Sequence, residues 1–266
     1  DPAGWQSKLN NADLMKAFQS FQVEHYIKIF RHYPDLNSLI SYFGDGKSNQ
    51  ALGVFGELNS MLSEYFVGIL AEHTPERSIS MRQAVRKKGG HAIFVEYDLA
   101  VGETLTPVYR LLIDQALKEA LSRTQKAGNV YFIADEFKLL PKLQHIDDAL
   151  NFGRGLGVRV MAGIQSIDQL YDVYGKEKGA VIASGFGSIF AFHTNDGSSR
   201  EYITNRFGPN MIIYEYTSSQ KNVIATKERD GNTVESWDQM ELGVGQAVIG
   251  LGYDAPFLFQ FDEYGK

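Results

Sequence analysis

The sequence predicts an α/β protein whose mainly parallel sheet follows an all-helical module and precedes a small β-rich tail. Three patterns carry this prediction. Apolar residues recur at helical spacing between residues 10 and 72. From residue 91 onwards, short apolar runs alternate with long amphipathic stretches, which is typical of βαβ units. Residues 210–266 read as short strands separated by Gly, Asn and Asp turns.

The helical module is predicted to cover residues 1–80, and the core with its β-rich tail residues 81–266. Within the module, Pro34 and the glycines of Gly44-Asp45-Gly46 break the helical pattern into shorter helices. The apolar positions that define the helices are Leu14, Phe18, Phe21, Leu52, Phe55, Leu58, Leu62 and Phe66.

Four apolar runs are predicted to be strands of the parallel sheet: Ala92–Val95, Val130–Ala134, Val158–Ile164 and Ile189–Phe192. Helical stretches separate them, at residues 103–126, 143–156 and 167–183. Polar side chains follow the four runs in turn: Glu96 and Asp98, Asp135 and Glu136, Gln165 and Ser166, Thr194 and Asn195. Because a parallel sheet brings the C-terminal ends of its strands to one edge, we expect these four sets to converge.

In the tail, we expect a further set of strands: Ile212–Tyr216, Val223–Thr226, Gln246–Leu251 and Phe257–Phe261. Asp230-Gly231 is predicted to be a hairpin connection, because this dipeptide favours tight turns.

The adjacent acids Asp135 and Glu136 are the most informative polar pair. They stand where a buried strand of five apolar residues, Val130–Ala134, ends. In open α/β ATPases one such carboxylate organises the shell of a hydrated Mg²⁺, and its neighbour orients or deprotonates an attacking water. The alternative is a buried strand that simply meets solvent at two acids.

Composition excludes several classes of function. The 266 residues contain no cysteine, which rules out disulfides, thiolate zinc sites and cysteine catalysis. A net charge of −6 argues against a broadly basic surface that coats nucleic acid, although a local contact needs only a local potential. The one obvious basic cluster, which also reads as a helix end, consists of Arg82, Arg86, Lys87 and Lys88.

A series of motifs spread over some fifty residues resembles the coupling-protein ATPases of type IV secretion and conjugation systems. The motifs, in order, are Phe132-Ile133-Ala134-Asp135-Glu136-Phe137, Leu140-Pro141, Gly153-Arg154-Gly155-Leu156-Gly157, Gly163-Ile164-Gln165-Ser166, Gln169-Leu170 and Tyr174-Gly175. Each motif is weak alone, and their combination in this order is specific.

The resemblance implies a RecA-like motor that binds ATP and Mg²⁺ and assembles as a homo-hexameric ring at the cytoplasmic side of the bacterial inner membrane. Its implied partners are DNA, relaxase and relaxosome proteins, and components of the secretion channel. This chain itself is expected to be soluble.

Four site residues are carried over from the family. Asp135 matches the acid that organises Mg²⁺ through water, and Glu136 matches the adjacent catalytic carboxylate. Gln165 matches a polar sensor of the γ-phosphate. Arg154 matches an arginine finger that reaches a neighbouring subunit's nucleotide; its alternative is an exposed arginine at a helix end.

Such a motor requires a phosphate loop, and the sequence contains no match to that motif. Gly44-Asp45-Gly46-Lys47-Ser48 has the terminal Gly-Lys-Ser, but Ser41 stands where the motif needs its first glycine. Leu36–Phe43 before it has helical spacing rather than that of a buried strand. We therefore expect a partial chain that lacks the phosphate loop and the membrane anchor, and that is inactive alone.

Two other functions remain open at this point. The chain could be a non-catalytic platform that docks relaxosome proteins or secretion substrates. It could also be a soluble DNA-pumping ATPase of related fold. A phosphate loop and two membrane spans in the upstream sequence would favour the motor over the platform.

Overall fold

A computed structural model describes residues 10–43, 48–66, 71–72, 79–86, 91–100, 102–122, 128–140, 142–218, 223–252 and 254–262. The predicted α/β class is confirmed. The chain divides into two compact units, one of residues 1–84 and 92–109 and the other of residues 85–91 and 110–266. The sequence-based boundary at residue 80 remains a prediction. In the described part of the chain, no helix combines the length and the apolar character that a membrane span requires.

The described residues of the first unit include the α-helices α1 Asn11–Ser20, α2 Val23–His32, α3 Ile40–Phe43 and α4 Asn49–Tyr65. Asn10 caps α1, since its side chain accepts a hydrogen bond from the backbone N–H of Asp13 at 2.8 Å. Ser48 caps α4 in the same way through Ala51, at 3.1 Å.

The segment before the Gly-Lys-Ser loop is helical, as predicted. It consists of a 3₁₀ helix, Pro34–Leu39, followed by α3. Gly44–Lys47 lie outside the described residues.

The predicted strand Ala92–Val95 is wrong. These residues form no strand, and Phe94 is 88% exposed. A strand needs a hydrogen-bonded partner, and the described residues provide none here. Glu96 and Asp98 therefore do not follow a strand, and the backbone oxygen of Glu96 instead accepts a hydrogen bond from the hydroxyl of Tyr109 at 3.1 Å.

The α-helices that follow in the described part of the chain are α5 Met81–Arg86, α6 Gly102–Leu121, α7 Ile146–Asn151, α8 Ile167–Tyr174, α9 Lys176–Gly185, α10 Gly197–Phe207 and α11 Asp238–Glu241. The single helix predicted for residues 167–183 is thus two helices. Gly175, with φ of 82°, separates α8 from α9 because this left-handed conformation cannot continue a helix.

The predicted basic cluster is only partly described. Arg86 is the last residue of α5 and forms an ion pair with Glu119, whose side chain is buried. A buried carboxylate without such a partner would be strongly destabilising. Lys87, Lys88 and also Pro141 of the motif series lie outside the described residues.

The strands are β1 Val130–Ala134, β2 Val158–Ala162, β3 Ile189–Phe192, β4 Pro209–Ser218, β5 Val223–Asn232, β6 Gln246–Gly250 and β7 Phe257–Gln260. Among the described residues, parallel pairing is confined to β1 and β2. The prediction that Ile189–Phe192 joins the parallel sheet is wrong, because this strand, β3, pairs antiparallel with β6 in a separate sheet. β6 also pairs antiparallel with β7. The chain reaches β6 after the β4–β5 hairpin, and it enters the sheet in the opposite direction to β3.

Asp230-Gly231, predicted to be a hairpin connection, lies inside β5 instead. The antiparallel register pairs Asp230 with Met211 and continues to Pro209 opposite Asn232. The connection between β4 and β5 falls on residues 219–222, outside the described part.

One face of the β1–β2 pair carries the main core. The side chains of this face pack against a buried cluster to which the helices contribute. They belong to Val130, Phe132, Ala134, Val160 and Ala162. The largest fully buried members of the cluster are Leu117, Leu143, Ile146 and Ile182. Burial of each such side chain contributes about 1.5–3 kcal/mol. On the opposite face of the strands, Tyr131, Ile133 and Met161 are exposed.

The β3–β6–β7 sheet also buries one face. Ala191 and Val248 pack with Ile203 of α10, Val234 and Leu242. Phenylalanines dominate the opposite face, and we call their set the aromatic face: Phe190, Phe192, Phe257, Phe259 and Phe261. These side chains are 36–50% exposed, and neighbouring rings lie 4.8–6.4 Å apart.

Candidate functional site

The candidate site lies at the edge of the β1–β2 pair where both strands end. The parallel register places Ala134, the last residue of β1, beside Ala162, the last residue of β2. The segments after both strands therefore leave the sheet at the same edge, as the sequence predicted. Asp135 and Glu136 stand on one segment, and Gln165 on the other.

Gly163 joins the two segments. Its N–H donates to the carbonyl of Ala134 at 2.8 Å, and its carbonyl accepts from the N–H of Phe137 at 2.9 Å. A β-carbon at Gly163 would collide with the backbone carbonyl of Asp135. The glycine thus permits a close backbone approach that brings the acids beside the end of β2.

The side chains of Glu136 and Gln165 meet at this edge. The Gln165 amide nitrogen, Nε2, donates to Glu136 Oε2 at 2.9 Å, and the backbone N–H of Gln165 donates to Gln169 Oε1 at 3.2 Å. The other carboxylate oxygen of Glu136, Oε1, is buried and has no hydrogen-bond partner among the described residues. Buried oxygens of this kind are rare unless a water or a ligand completes them.

The end of β3 reaches the same group of loops. Ser166 Oγ donates to Asp196 Oδ2 at 2.8 Å, and the N–H of Ile167 donates to Ser199 Oγ at 3.0 Å. Thr194 and Asn195, which the sequence predicted for this edge, precede Asp196 in the same loop, and Thr194 Oγ1 accepts from the N–H of Asp196 at 3.1 Å. Three of the four predicted polar sets therefore converge.

Asp196 is the residue of this edge that the sequence reasoning missed. It caps α10 by accepting from the N–H of Ser199 at 2.8 Å. Hydrogen bonds from Ser199, and then from Ser166, lower the pKa of the Asp196 carboxyl group below its usual value. The run Asp196-Gly197-Ser198-Ser199 ahead of a helix was the available signal.

Arg154 lies at the other end of β2. It belongs to a 3₁₀ helix, Gly153–Leu156, which directly precedes the strand. The length of β2 separates Arg154 from the edge that carries Gln165. From Val158 to Ala162 the strand advances four residues, at about 3.3 Å per residue. The structure therefore brings Glu136 and Gln165 together but places Arg154, which is exposed, apart from them.

The acid pair fits the demands of a hydrated magnesium ion. Asp135 is exposed at the strand end, and one buried carboxylate oxygen of Glu136 has no partner in the described part of the chain. Mg²⁺ needs only one or two carboxylates, because it retains waters and uses phosphate oxygens as ligands. Among the described residues, no three His, Asp or Glu side chains gather closely enough to form a larger ligand set.

Comparison with known proteins places this geometry in context. Residues 5–245 match the family model described as "Type IV secretion-system coupling protein DNA-binding domain". The chain is 27% identical over 132 residues to conjugal transfer protein TraG of Agrobacterium fabrum, which covers 49% of the chain and 20% of that protein. It is 34% identical over 112 residues to protein VirD4 of Rhizobium radiobacter, covering 40% of the chain and 16% of that protein. The chain thus matches at most a fifth of each of these relatives.

Solved structures of the plasmid coupling protein TrwB share the fold. The complex of TrwB with the GTP analogue GDPNP superposes with a TM-score of 0.71 at 20% identity, covering 97% of this chain and 59% of that one. The complex of TrwB with ADP and Mg²⁺ gives a TM-score of 0.65 at 20% identity, covering 95% and 60%.

Proposed function

Because the chain belongs to the type IV secretion-system coupling protein family, we propose that it forms the nucleotide-hydrolysing edge of an ATP-driven motor that moves DNA during conjugation. The observation that carries this proposal is the contact between Gln165 Nε2 and Glu136 Oε2 at the shared end of β1 and β2. It joins a carboxylate and an amide, the two groups needed beside an attacking water and a terminal phosphate.

Glu136 is the proposed general base or water-orienting group. Its buried oxygen Oε1, to which no described residue donates, can accept a hydrogen bond from a water, while Gln165 donates to Oε2. Proton acceptance at a fixed carboxylate typically contributes 10²–10⁴-fold to a rate, roughly. Gln165 can then exchange its bond to Glu136 for one to a phosphate oxygen, and so report the presence of the γ-phosphate.

Asp135 and ATP with Mg²⁺ complete the proposed site. A bound Mg²⁺ would supply positive charge to neutralise the charge that develops on the phosphates. Asp135 is exposed at the strand end, where its carboxylate can hold the waters of that ion. The solved complexes of TrwB with ADP and Mg²⁺ and with a GTP analogue support this assignment at the level of the family.

Arg154 is proposed to act on a different nucleotide from the one that Glu136 serves. Its position before β2, at the opposite edge from Gln165, suits a residue that projects towards a neighbouring subunit. A guanidinium there would stabilise charge on the phosphoryl oxygens through fixed donors.

The remaining partners follow from the family. We propose that the protein forms a homo-hexameric ring at the cytoplasmic side of the inner membrane and that its cargo is DNA. The relaxase and other relaxosome proteins would deliver the DNA to the ring, and the secretion channel would receive it. The match to a coupling-protein DNA-binding domain and the similarity to conjugal transfer protein TraG support these partners.

The 266 residues alone are expected to bind ATP weakly or not at all. They contain no G-x-x-x-x-G-K-[ST] sequence, and without its lysine and backbone amides the phosphates have no cradle. Isothermal titration of the chain with Mg-ATP measures this directly. Micromolar affinity would contradict the prediction and would show that the phosphates bind without such a loop.

Glu136→Gln tests the catalytic assignment in a polypeptide that carries both these residues and a phosphate loop. The substitution keeps the size of the side chain and removes the proton acceptor. We expect ATP turnover to fall by about 10²–10⁴-fold while nucleotide affinity stays unchanged. Phosphate release and nucleotide titration, measured on the same preparation, separate the two quantities.

The matched control is Glu201→Gln, which neutralises an exposed acid on α10. Turnover by this variant should equal that of the wild type. If Glu136→Gln turned over ATP at the wild-type rate, Glu136 would have no part in the chemistry.

A further inference from the structure

The β4–β5 hairpin forms a two-stranded sheet of its own within the described residues. Each strand has ten residues, Pro209–Ser218 and Val223–Asn232, in an unbroken antiparallel register. The five residues 226–230 of β5 are all exposed. A long, two-sided ribbon of this kind offers two separate surfaces to partners.

The charges of β5 separate by sign between these two surfaces. Lys227, Glu228, Arg229 and Asp230 alternate along the strand. Because successive side chains of a strand point to opposite faces, the two cations share one face and the two acids share the other.

Strand β4 extends the same separation. Tyr214 stands opposite Lys227 and Ile212 opposite Arg229, and directly opposed residues share a face. The other face receives Ile213 opposite Glu228, together with Met211 opposite Asp230 and Glu215 opposite Thr226. We call the first of these surfaces the basic face. The basic face carries the two cations and the exposed Tyr214. The other surface carries three acids, Glu215, Glu228 and Asp230.

Protection against aggregation does not account for this arrangement. Charged residues on an exposed strand keep it from pairing with other chains, but either sign in any order serves that purpose. Glu235 lies close enough to Arg229 to interact with its charge. The Glu235 carboxylate also accepts hydrogen bonds from the N–H and the Nδ2 of Asn232, both at 3.0 Å. Lys227 and Arg229 are exposed.

We propose that the basic face binds single-stranded nucleic acid, an assignment that rests on the proposed function and specifies where the chain contacts its cargo. Lys227 and Arg229 complement the phosphates of the strand by charge. Tyr214, 40% exposed beside Lys227, provides a ring on which a base stacks. Cations that track a backbone next to an aromatic platform are the combination used by proteins that bind unpaired strands. The chain as a whole has a net charge of −6, so the attraction must be local.

The test compares charge-neutralising variants of the intact chain. Lys227→Gln/Arg229→Gln is measured against Glu228→Gln/Asp230→Asn on the opposite face, and against Lys16→Gln/Lys28→Gln, which removes two exposed cations from α1 and α2. Fluorescence anisotropy with a labelled oligothymidine, over a series of NaCl concentrations, gives affinity and salt dependence. A duplex and vesicles containing phosphatidylserine are the competing probes.

We expect the basic-face variant to bind oligothymidine about five- to twenty-fold more weakly than wild type at low salt. The slope of log K against log[salt] should become shallower by about 1.4, or about 0.7 for each lost phosphate contact on a single strand. Neither control should lose affinity. Tyr214→Ala should weaken oligothymidine binding without changing the slope, because stacking releases no counterions.

Several outcomes would overturn the proposal: no binding of oligothymidine by the wild type, equal losses in the basic-face and α1–α2 variants, or a dependence on Lys227 and Arg229 for the duplex or the vesicles but not for the single strand. The Mg-ATP titration and the Glu136→Gln experiment do not involve the hairpin. The proposed function can therefore survive a failure here, and a failure there leaves the DNA measurements intact.

Discussion

Gly163 is the residue on which the geometry of the site depends most directly. Its backbone bonds to Ala134 and Phe137 tie the ends of β1 and β2 together, and the space beside it is filled by the carbonyl of Asp135. Any side chain there has to push the acid-bearing segment away from Gln165. The 2.9 Å contact between Glu136 Oε2 and Gln165 Nε2 is thus possible because residue 163 has no β-carbon.

Gly163→Ala is therefore expected to lower the free energy of unfolding by about 1–3 kcal/mol, the cost typical of overpacking. Gly155→Ala is the control, because nothing lies within 4 Å of its added β-carbon. Urea unfolding of both variants gives the comparison. Equal stability of the two would mean that the close approach is not required.

Residue chemistry also explains which site residues the sequence could identify. Asp135, Glu136 and Gln165 each follow an apolar strand, and the position is visible from the pattern alone. Asp196 was not identified, because its importance lies in what it accepts from Ser166 and Ser199, which are 30 and 3 residues away. The catalytic roles of Asp135, Glu136 and Gln165 remain predictions.

At the level of elements, Asp196 connects β2 with β3 and α10. As the cap of α10 and the acceptor of the Ser166 hydroxyl, it holds the loop after β3 against the loop that carries Gln165. Replacing a capping Asp by Ala costs about 1 kcal/mol. We expect Asp196→Ala to lose about this much stability at neutral pH.

The loss should depend on pH in a defined direction. The pKa of Asp196 is lowered in the folded state, so the folded protein favours the charged carboxylate. Its contribution is fully present above the unfolded pKa of about 3.9, and disappears as the pH falls through the lower folded value. Urea unfolding of wild type and variant should therefore give a constant difference above about pH 5 that shrinks in acid.

Asp172→Ala, an exposed acid on α8, is the control and should show no loss that varies with pH. A difference for Asp196→Ala that persisted unchanged in acid would mean that its carboxylate charge does not stabilise the fold.

Elements were predictable where local pattern decides them. The bounds of β1 and β3 agree with their apolar runs, since five and four consecutive apolar residues leave little choice. The pairing of the strands was harder to predict from the sequence. The partner of β3 is β6, more than fifty residues later, and no local pattern announces an antiparallel neighbour at that distance. Ala92–Val95 has the composition of a strand, but composition cannot supply the partner that a strand requires.

At the level of the whole molecule, two of the sheets in the second unit, β1–β2 and β3–β6–β7, each pack one face against a hydrophobic cluster, and the described residues leave the other face exposed. The exposed side of β1 and β2 carries Tyr131, Ile133 and Met161, and that of β3, β6 and β7 is the aromatic face. Sheets with parallel strands are normally covered on both faces. The family could still be inferred from sequence, because its motifs lie on the strand ends and not on these surfaces.

The aromatic face has a practical consequence for anyone who handles the chain. Dyes such as ANS fluoresce when they settle on apolar surface, and their binding is usually taken as a sign of a loosened, partly unfolded state. Here a native sheet already offers clustered phenyl rings to such a dye. A bright signal at room temperature would therefore report a correctly folded molecule, and melting curves read by dye fluorescence would start from a high baseline. Circular dichroism avoids that ambiguity.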